Sequence, residues 1–333
     1  MTSWIAQRIF QALLTIFLVI TLSFALIRAM PGGPMDYLRA TLAQQENIQD
    51  PQQLEAIMQI YIGMQPDDPL WQQYIDYMLS AFQGDFGRSI VHDRSVSEIY
   101  AAALPWTVFV MLQAILLFWS IGVVLGASMA YVERSRTDVT LSTAATIMTS
   151  IPYYVFAVLL LFILGRLWGI FPSGGRYPSG VVPGFNIEFV MGALYHGLLP
   201  VFSFVAAAWG GVALGMRGNS ISVLGSEYLR VGQLRGLPQS YLAIHYVGRN
   251  AILPLYTSFL ITLGTLFGGS IILETIFRYP GAGYYLFNAI GQRDYPVLMG
   301  GFIIITIAVV FGVFIADITY GKIDPRISTG DRT

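Results

Sequence analysis

Six long apolar runs dominate the hydropathy pattern of this chain, and each approaches or exceeds the roughly 20 residues needed to cross a bilayer. The runs are Ile9–Ile27, Trp106–Val132, Leu141–Leu164, Leu194–Met216, Ile252–Ile276 and Val297–Ile318. The first is too long for a signal-peptide core, and no small-residue cleavage site follows it. The pattern therefore predicts an all-α polytopic membrane protein with six transmembrane helices, of which the first is uncleaved.

The long polar segment after the first run divides the chain into three parts. We predict a first transmembrane helix over 1–30, an external segment with short helices over 31–103, and a five-helix core over 104–333. Within the external segment, Leu70–Phe82 has apolar residues at helical spacing. Two interpretations stay open for this helix, a lid on its own protein or a docking surface for an external partner.

A polar stretch, Glu227–Leu255, separates the fourth and fifth runs and is interrupted by Gly236, Pro238 and Pro254. Glycine suits the end of one helix and proline the start of the next, so we expect two short helices here. The core loop that contains them extends over about 217–251. The residues alone are compatible with an ordinary connector or with a docking element for a soluble partner.

Composition narrows the possible functions. The chain is 55% hydrophobic and 11% charged, and it has no cysteine and three histidines. Disulfides and thiol chemistry are excluded, and a histidine-based metal site is not expected. The sequence has no Gly-rich phosphate loop with its Lys-Ser/Thr. The spans also lack the buried charges that are typical of proton- or sodium-coupled carriers, and Glu274 and Asp317 are interpreted as snorkelling or capping groups near span ends.

The basic residues favour one orientation across the membrane. With the N-terminus inside, ten of them are cytoplasmic: Arg8, Arg134, Arg136, Arg217, Arg230, Arg235, Arg249, Lys322, Arg326 and Arg332. Eight are then external: Arg28, Arg39, Arg88, Arg94, Arg166, Arg176, Arg278 and Arg293. Three of these eight lie in the long external segment, which obeys the positive-inside rule poorly. The distribution predicts cytoplasmic termini and a cytoplasmic Glu227–Asn250.

Five motifs occur in a recognisable order along the chain. They are Pro31 and the residues after it, Gly84–Ser89 (GDFGRS), the stretch Glu227–Leu255, Glu274–Gly283 (ETIFRYPGAG) with Arg293–Pro296 (RDYP), and Tyr320–Arg326 (YGKIDPR). With these motifs the chain resembles the permeases of binding-protein-dependent ABC importers, most closely the dipeptide and oligopeptide branch. Two departures stand out. Arg230, Val231 and Gly232 replace the family's Glu-Ala-Ala, as in the peptide branch, and Gly33 stands where Asp is usual.

The resemblance implies a type I ABC importer permease fold and a non-catalytic subunit that forms half of a peptide pathway. Implied partners are a second homologous permease, two ATPase subunits that bind ATP and Mg, and an external solute-binding protein; no cofactor is expected in this chain. The ATPase-docking candidates are Glu227, Tyr228, Arg230, Arg235, Gly236, Leu237 and Pro238. The candidates for contact with the binding protein are Leu70, Trp71, Tyr74 and Tyr77.

Alternative functions stay open from the sequence. Oligosaccharide and nickel importers use similar permeases, so the solute is not determined. A secondary transporter or channel is less consistent with the scarcity of buried charge. A membrane-embedded enzyme lacks support because the spans contain no paired carboxylates, Ser/His arrangement or metal cluster.

Overall fold

The computed structural model describes residues 2–29, 61, 68–238, 241–269 and 271–323. Regular structure within these ranges is helical, apart from one antiparallel bridge between Arg88 and Ser95. The predicted all-α class is confirmed. The predicted Pro31 and Tyr320–Arg326 motifs lie largely outside the described residues.

The helices follow one another in a simple order. They are α1 (Thr2–Ala29), α2 (Leu70–Phe82), α3 (Val96–Tyr131), α4 (Arg136–Ser150), α5 (Tyr153–Leu160, continued as a π-helix by Leu161–Leu167), α6 (Ile187–Leu224), α7 (Glu227–Leu234), α8 (Arg249–Gly264, preceded by the π-helical Leu242–Gly248 and followed by the 3₁₀ turn Thr265–Gly268), α9 (Ile271–Ile276), α10 (Ala282–Gln292) and α11 (Tyr295–Ile323).

Five of these helical stretches are long and apolar enough to cross a membrane: Ala6–Leu26, Val96–Tyr131, Ile187–Leu224, His245–Gly268 and Tyr295–Thr319. The pair α4–α5 passes the same test jointly but is bent by 87° at its break, and the break contains Pro152, directly before α5. Proline lacks the amide hydrogen needed to continue the helix, so the apolar run Leu141–Leu164 is divided between two helices. The fifth span ends at Gly268 rather than at Ile276, because Gly269 takes a positive φ of 58°.

Contacts between distant segments sort the helix ends into two sides. One side is joined by three polar contacts: Arg8–Asp317, Asp138–Arg217 and Asn219–Ala251. The opposite side is joined by Ser89–Asp294 and by Gly175–Arg278. The chain changes sides along α1, α3, α6, α8 and α11, so α4–α5 must also pass from the first side to the second. The bent pair is therefore one broken span, and the described chain has six.

Small residues bring the central helices together. A Cβ added to Gly122 would lie 2.5 Å from Val212, and one added to Gly126 would lie 2.7 Å from Met216. The backbones of α3 and α6 therefore lie close together. Gly210 of α6 lies in the same way against the backbone of Ala145 in α4. Such close approach is the expected use of glycine in transmembrane helices.

Candidate functional site

The polar loop between α6 and α8 folds into a helix, a tight turn and a second helical stretch. Helix α7 ends at Leu234, and Gly236 follows with a φ of 72°. The amide of Gly236 donates to the carbonyl of Gln233 at 2.9 Å, and the amide of Leu237 donates to that of Gly232 at 3.3 Å. These two bonds form a Schellman motif, in which glycine is favoured at the left-handed position. The predicted helix stop at Gly236 is confirmed.

One face of this loop is buried in an apolar cluster formed by the two halves of the loop and by Val223 at the end of α6. Leu229, Leu242 and Val247 are buried together, with Leu237 and Tyr246 packed against them. Gly232 lies so close to this cluster that an added Cβ would be 2.8 Å from the side chain of Leu242. The loop is therefore a packed element, and its outer face is held in a fixed relation to this cluster.

The opposite face is exposed and mixes apolar with basic side chains. Of the predicted docking residues, Leu237 is half-buried in the apolar cluster and the others are exposed: Glu227, Tyr228, Arg230, Arg235, Gly236 and Pro238. Val231 and Leu234 belong to the same surface, and Leu234 is 82% exposed. The prediction omitted these two. Tyr228, Val231 and Leu234 follow one another at intervals of three residues, which places them on one face of a helix. That face is opposite Leu229, and this spacing could have identified Val231 and Leu234 from the sequence.

A buried ion pair lies at the base of the loop. Arg217, near the end of α6, donates from Nε to Asp138 Oδ1 at 2.6 Å and from a terminal nitrogen to Oδ2 at 2.8 Å. Asp138 is 1% exposed and also accepts the amide of Arg134 and the hydroxyl of Ser142. Two parallel bonds to one carboxylate fix the relative orientation of both groups. The pair thus connects the α3–α4 turn to the helix that carries the loop.

On the opposite side of the molecule, two of the sequence motifs meet. The hydroxyl of Ser89, in GDFGRS, donates to Oδ2 of Asp294, in RDYP, at 2.5 Å. The amides of Ile90 and Val91 donate to the same carboxylate at 3.3 Å each. Asp294 and Ser89 are 1% and 0% exposed. The carboxylate therefore joins the segment before α3 to the start of α11.

A second buried carboxylate organises the ETIFRYPGAG motif. Oε1 of Glu274 accepts the hydroxyl of Thr107 at 2.7 Å, and Oε2 accepts the amide of Tyr284 at 3.0 Å. The Thr107 oxygen in turn accepts the amide of Ala282 at 2.8 Å. Glu274 is 3% exposed, so the snorkelling interpretation is wrong and the capping interpretation is confirmed. The carboxylate and Thr107 satisfy amides in the first turn of α10, where negative charge is favoured.

We expect Thr107→Val to lower the thermal unfolding temperature of the purified protein. Valine has the same shape, but it leaves the amide of Ala282 without its acceptor and Oε1 of Glu274 without its donor. An unsatisfied buried polar group costs about 1–3 kcal/mol. The matched control is Thr262→Val, because the Thr262 hydroxyl is exposed and bonds only to the carbonyl of Ser258 in its own helix. Equal thermal shifts for the two variants would contradict the role assigned to Thr107.

The four residues predicted to contact a binding protein do not form one surface. Leu70 and Trp71 are exposed, at 63% and 65%. Tyr77 is buried, and Tyr74 is half-buried, with its hydroxyl 2.7 Å from that of Thr21 and its ring against Phe24 of α1. Both tyrosines are thus occupied by the chain's own first helix. Contact with a binding protein stays a prediction, and Leu70 and Trp71 are the two exposed members of the predicted set.

Comparisons with known proteins agree along the whole chain. The family model described as "Binding-protein-dependent transport system inner membrane component" matches residues 122–329. The oligopeptide transport system permease protein AppB of Bacillus subtilis is 32% identical over 332 residues, 98% of this chain and 99% of that protein. The di/tripeptide transport system permease protein DppB of Pseudomonas aeruginosa is 30% identical, and the oligopeptide transport system permease protein OppB of Haemophilus influenzae is 31% identical, each with the same coverage.

Proposed function

The chain belongs to the family of binding-protein-dependent transport system inner membrane components, and from that membership we propose that it forms half of a pathway for di- or oligopeptides. It is a multi-pass inner membrane protein and the non-catalytic permease subunit of an ABC importer. The observation that supports a peptide solute is the extent of the similarity. Three relatives named for peptide transport match almost the full length of this chain, including the segment before α3.

Family membership implies ATPase and binding-protein partners. We propose two ATPase subunits that bind ATP and Mg, a second homologous permease and an external solute-binding protein. Outside the long external segment, ten basic residues are assigned to the Arg8–Asp317 side and five to the other, which supports a cytoplasmic position for the first side and for both termini. This orientation exposes the outer face of α7 to the cytoplasm.

The outer face of the loop is proposed to dock on the ATPase subunit. Tyr228, Val231 and Leu234 form an apolar stripe of the size that a groove on a partner can bury. Arg230 and Arg235 flank it and suit a partner rim with carboxylates. The cluster of Leu229, Leu242 and Val247 beneath these side chains supports this function. A movement of the ATPase can reach the spans only through an element that is packed between them.

The solute assignment is tested by uptake into vesicles that contain the assembled transporter. We expect ATP-dependent uptake of labelled di- to oligopeptides that requires the cognate binding protein. Maltooligosaccharide and nickel ions serve as competing solutes under the same conditions. Uptake of either one in place of peptides would reject the peptide assignment and leave the permease assignment intact. The isolated chain is expected to show no ATP hydrolysis above background, because it has no phosphate loop.

A further inference from the structure

The apolar residues of α2 fall on two opposite faces of the helix. Tyr77 and Ala81 are buried against α1 and α11, in a cluster with Ile20, Met299 and Ile303. The other face exposes a continuous apolar set that is 46–65% exposed: Trp71, Ile75, Leu79 and Phe82. Leu70 is also exposed, but it lies seven residues before Tyr77 and belongs to the first turn of the buried face. The second face contains no charged residue, which is unusual for a surface in water.

The depth of α2 follows from the residues on which it packs. The Arg8–Asp317 pair, at 3.4 Å, marks one end of the apolar parts of α1 and α11. Ile20 and Ile303 lie twelve and fourteen residues from that pair, which corresponds to about 18 and 21 Å of helix. The hydrocarbon core is about 30 Å thick. The contact with α2 is therefore about 9–12 Å inside the opposite boundary, and any tilt of the two spans places it deeper.

A helix at this depth is surrounded by acyl chains wherever protein does not cover it. The exposed set matches that surrounding, because four large apolar side chains follow one another along the face. Their one polar group is the indole N–H of Trp71, in the first turn of the helix. Gln72, Asp76 and Ser80 lie at the flanks and are half-buried. One face of α2 therefore packs on protein and the other faces lipid, and at 13 residues the helix is too short to cross the membrane.

We propose that α2 is an embedded, non-spanning helix whose exposed face, Trp71, Ile75, Leu79 and Phe82, contacts lipid acyl chains. The leaflet is the one opposite the Arg8–Asp317 pair. The helix then holds the outer ends of α1 and α11 in the bilayer and supports the adjoining Ser89–Asp294 contact. This use of the face excludes its use as a water-exposed docking surface for a binding protein.

The chain has no cysteine, so a single introduced thiol can be labelled specifically. We suggest a nitroxide label at Ile75→Cys or Leu79→Cys, attached before assembly with cysteine-free partners and reconstitution in phosphatidylethanolamine–phosphatidylglycerol vesicles. Glu98→Cys is the matched control, because Glu98 is exposed in the first turn of α3 beside the exposed Arg94. Both α2 positions are expected to show a ratio of oxygen to nickel-chelate collisions several-fold above that of the control.

Three results would overturn the proposal. Free access of the nickel chelate to both α2 labels would place the face in water. Immobilisation of the labels when the solute-binding protein is added would assign the face to that partner. Exclusion of both reagents would mean that protein covers it. Two positions are used so that one poorly folded variant cannot decide the outcome.

Discussion

Replacing Gly236 with valine is expected to reduce ATP-driven uptake by about tenfold or more, while the protein still inserts into the membrane. The residue has a φ of 72°, which a β-branched side chain enters at a cost of about 1–2 kcal/mol or more. No atom of the described residues lies within 4 Å of an added Cβ, so this part of the chain offers no steric clash. The effect must therefore come from loss of the turn or from collision with a docked partner.

Two control substitutions separate these causes. Gly236→Asn keeps a residue that tolerates the left-handed conformation, so it retains the turn and tests the added bulk alone. Gly225→Val alters the glycine just before α7, where φ is −78° and valine is not strained by the backbone. Co-purification of the ATPase subunit and uptake by vesicles are measured for each variant. Wild-type values of both for Gly236→Val would identify the loop as an ordinary connector.

Arg235→Ala is expected to have a much smaller effect than Gly236→Val. Arg235 is exposed, and an exposed ion pair with a partner carboxylate contributes about 0–1 kcal/mol. A large loss of ATPase association in this variant would show that Arg235 is buried in the docked complex.

Replacing Arg217 with alanine is expected to destabilise the purified complex strongly, by about 3–5 kcal/mol if the pair behaves as a buried one. The two partners are not equivalent, because Asp138 is almost fully buried whereas the Arg217 side chain is 28% exposed. Arg217→Ala leaves a buried carboxylate without its cation. Asp138→Asn leaves an arginine that can turn toward water, so its thermal destabilisation should be smaller.

A double-mutant cycle of these two positions isolates the energy of the pair itself. The control is the neighbouring Glu133–Arg134 contact at 3.6 Å, where Arg134 is 90% exposed and Glu133→Gln should have almost no effect. Thermal unfolding and solute-stimulated ATP turnover are measured together. If stability falls and coupling in the surviving complex does not, the pair serves the fold alone. Equal destabilisation by Arg217→Ala and Glu133→Gln would contradict the view that the Asp138–Arg217 pair is buried and stabilises the fold.

Local features could be predicted from the sequence because their causes are local. Runs of apolar residues of the right length identified all six spans, since the bilayer imposes a length and a polarity on each. Gly236 identified the end of α7, because one residue with a positive φ is sufficient to stop a helix. Helix ends were less predictable. α3 begins at Val96 rather than at Trp106, since Ser95 caps it well outside the apolar run.

The sequence also identified the motifs but not their relation in space. Nothing in GDFGRS or RDYP shows that Ser89 and Asp294 share a hydrogen bond, because 205 positions separate them. The same holds for Thr107 and Glu274, and for Asp138 and Arg217, which are 79 positions apart. Each carboxylate lies next to its partner because several spans pack together.

For α2 as well, the sequence predicted the helix but not its position. Its helical spacing was visible in the sequence and was confirmed, but the spacing is the same for a lid, a docking surface and a helix in lipid. Its burial against Ile20 and Ile303 determines how deep it lies. The sequence by itself determined which segments are apolar, which are helical and where turns must occur, because these depend on neighbours along the chain. Only the tertiary structure decided which faces are free and which charges are paired, because burial depends on neighbours in space.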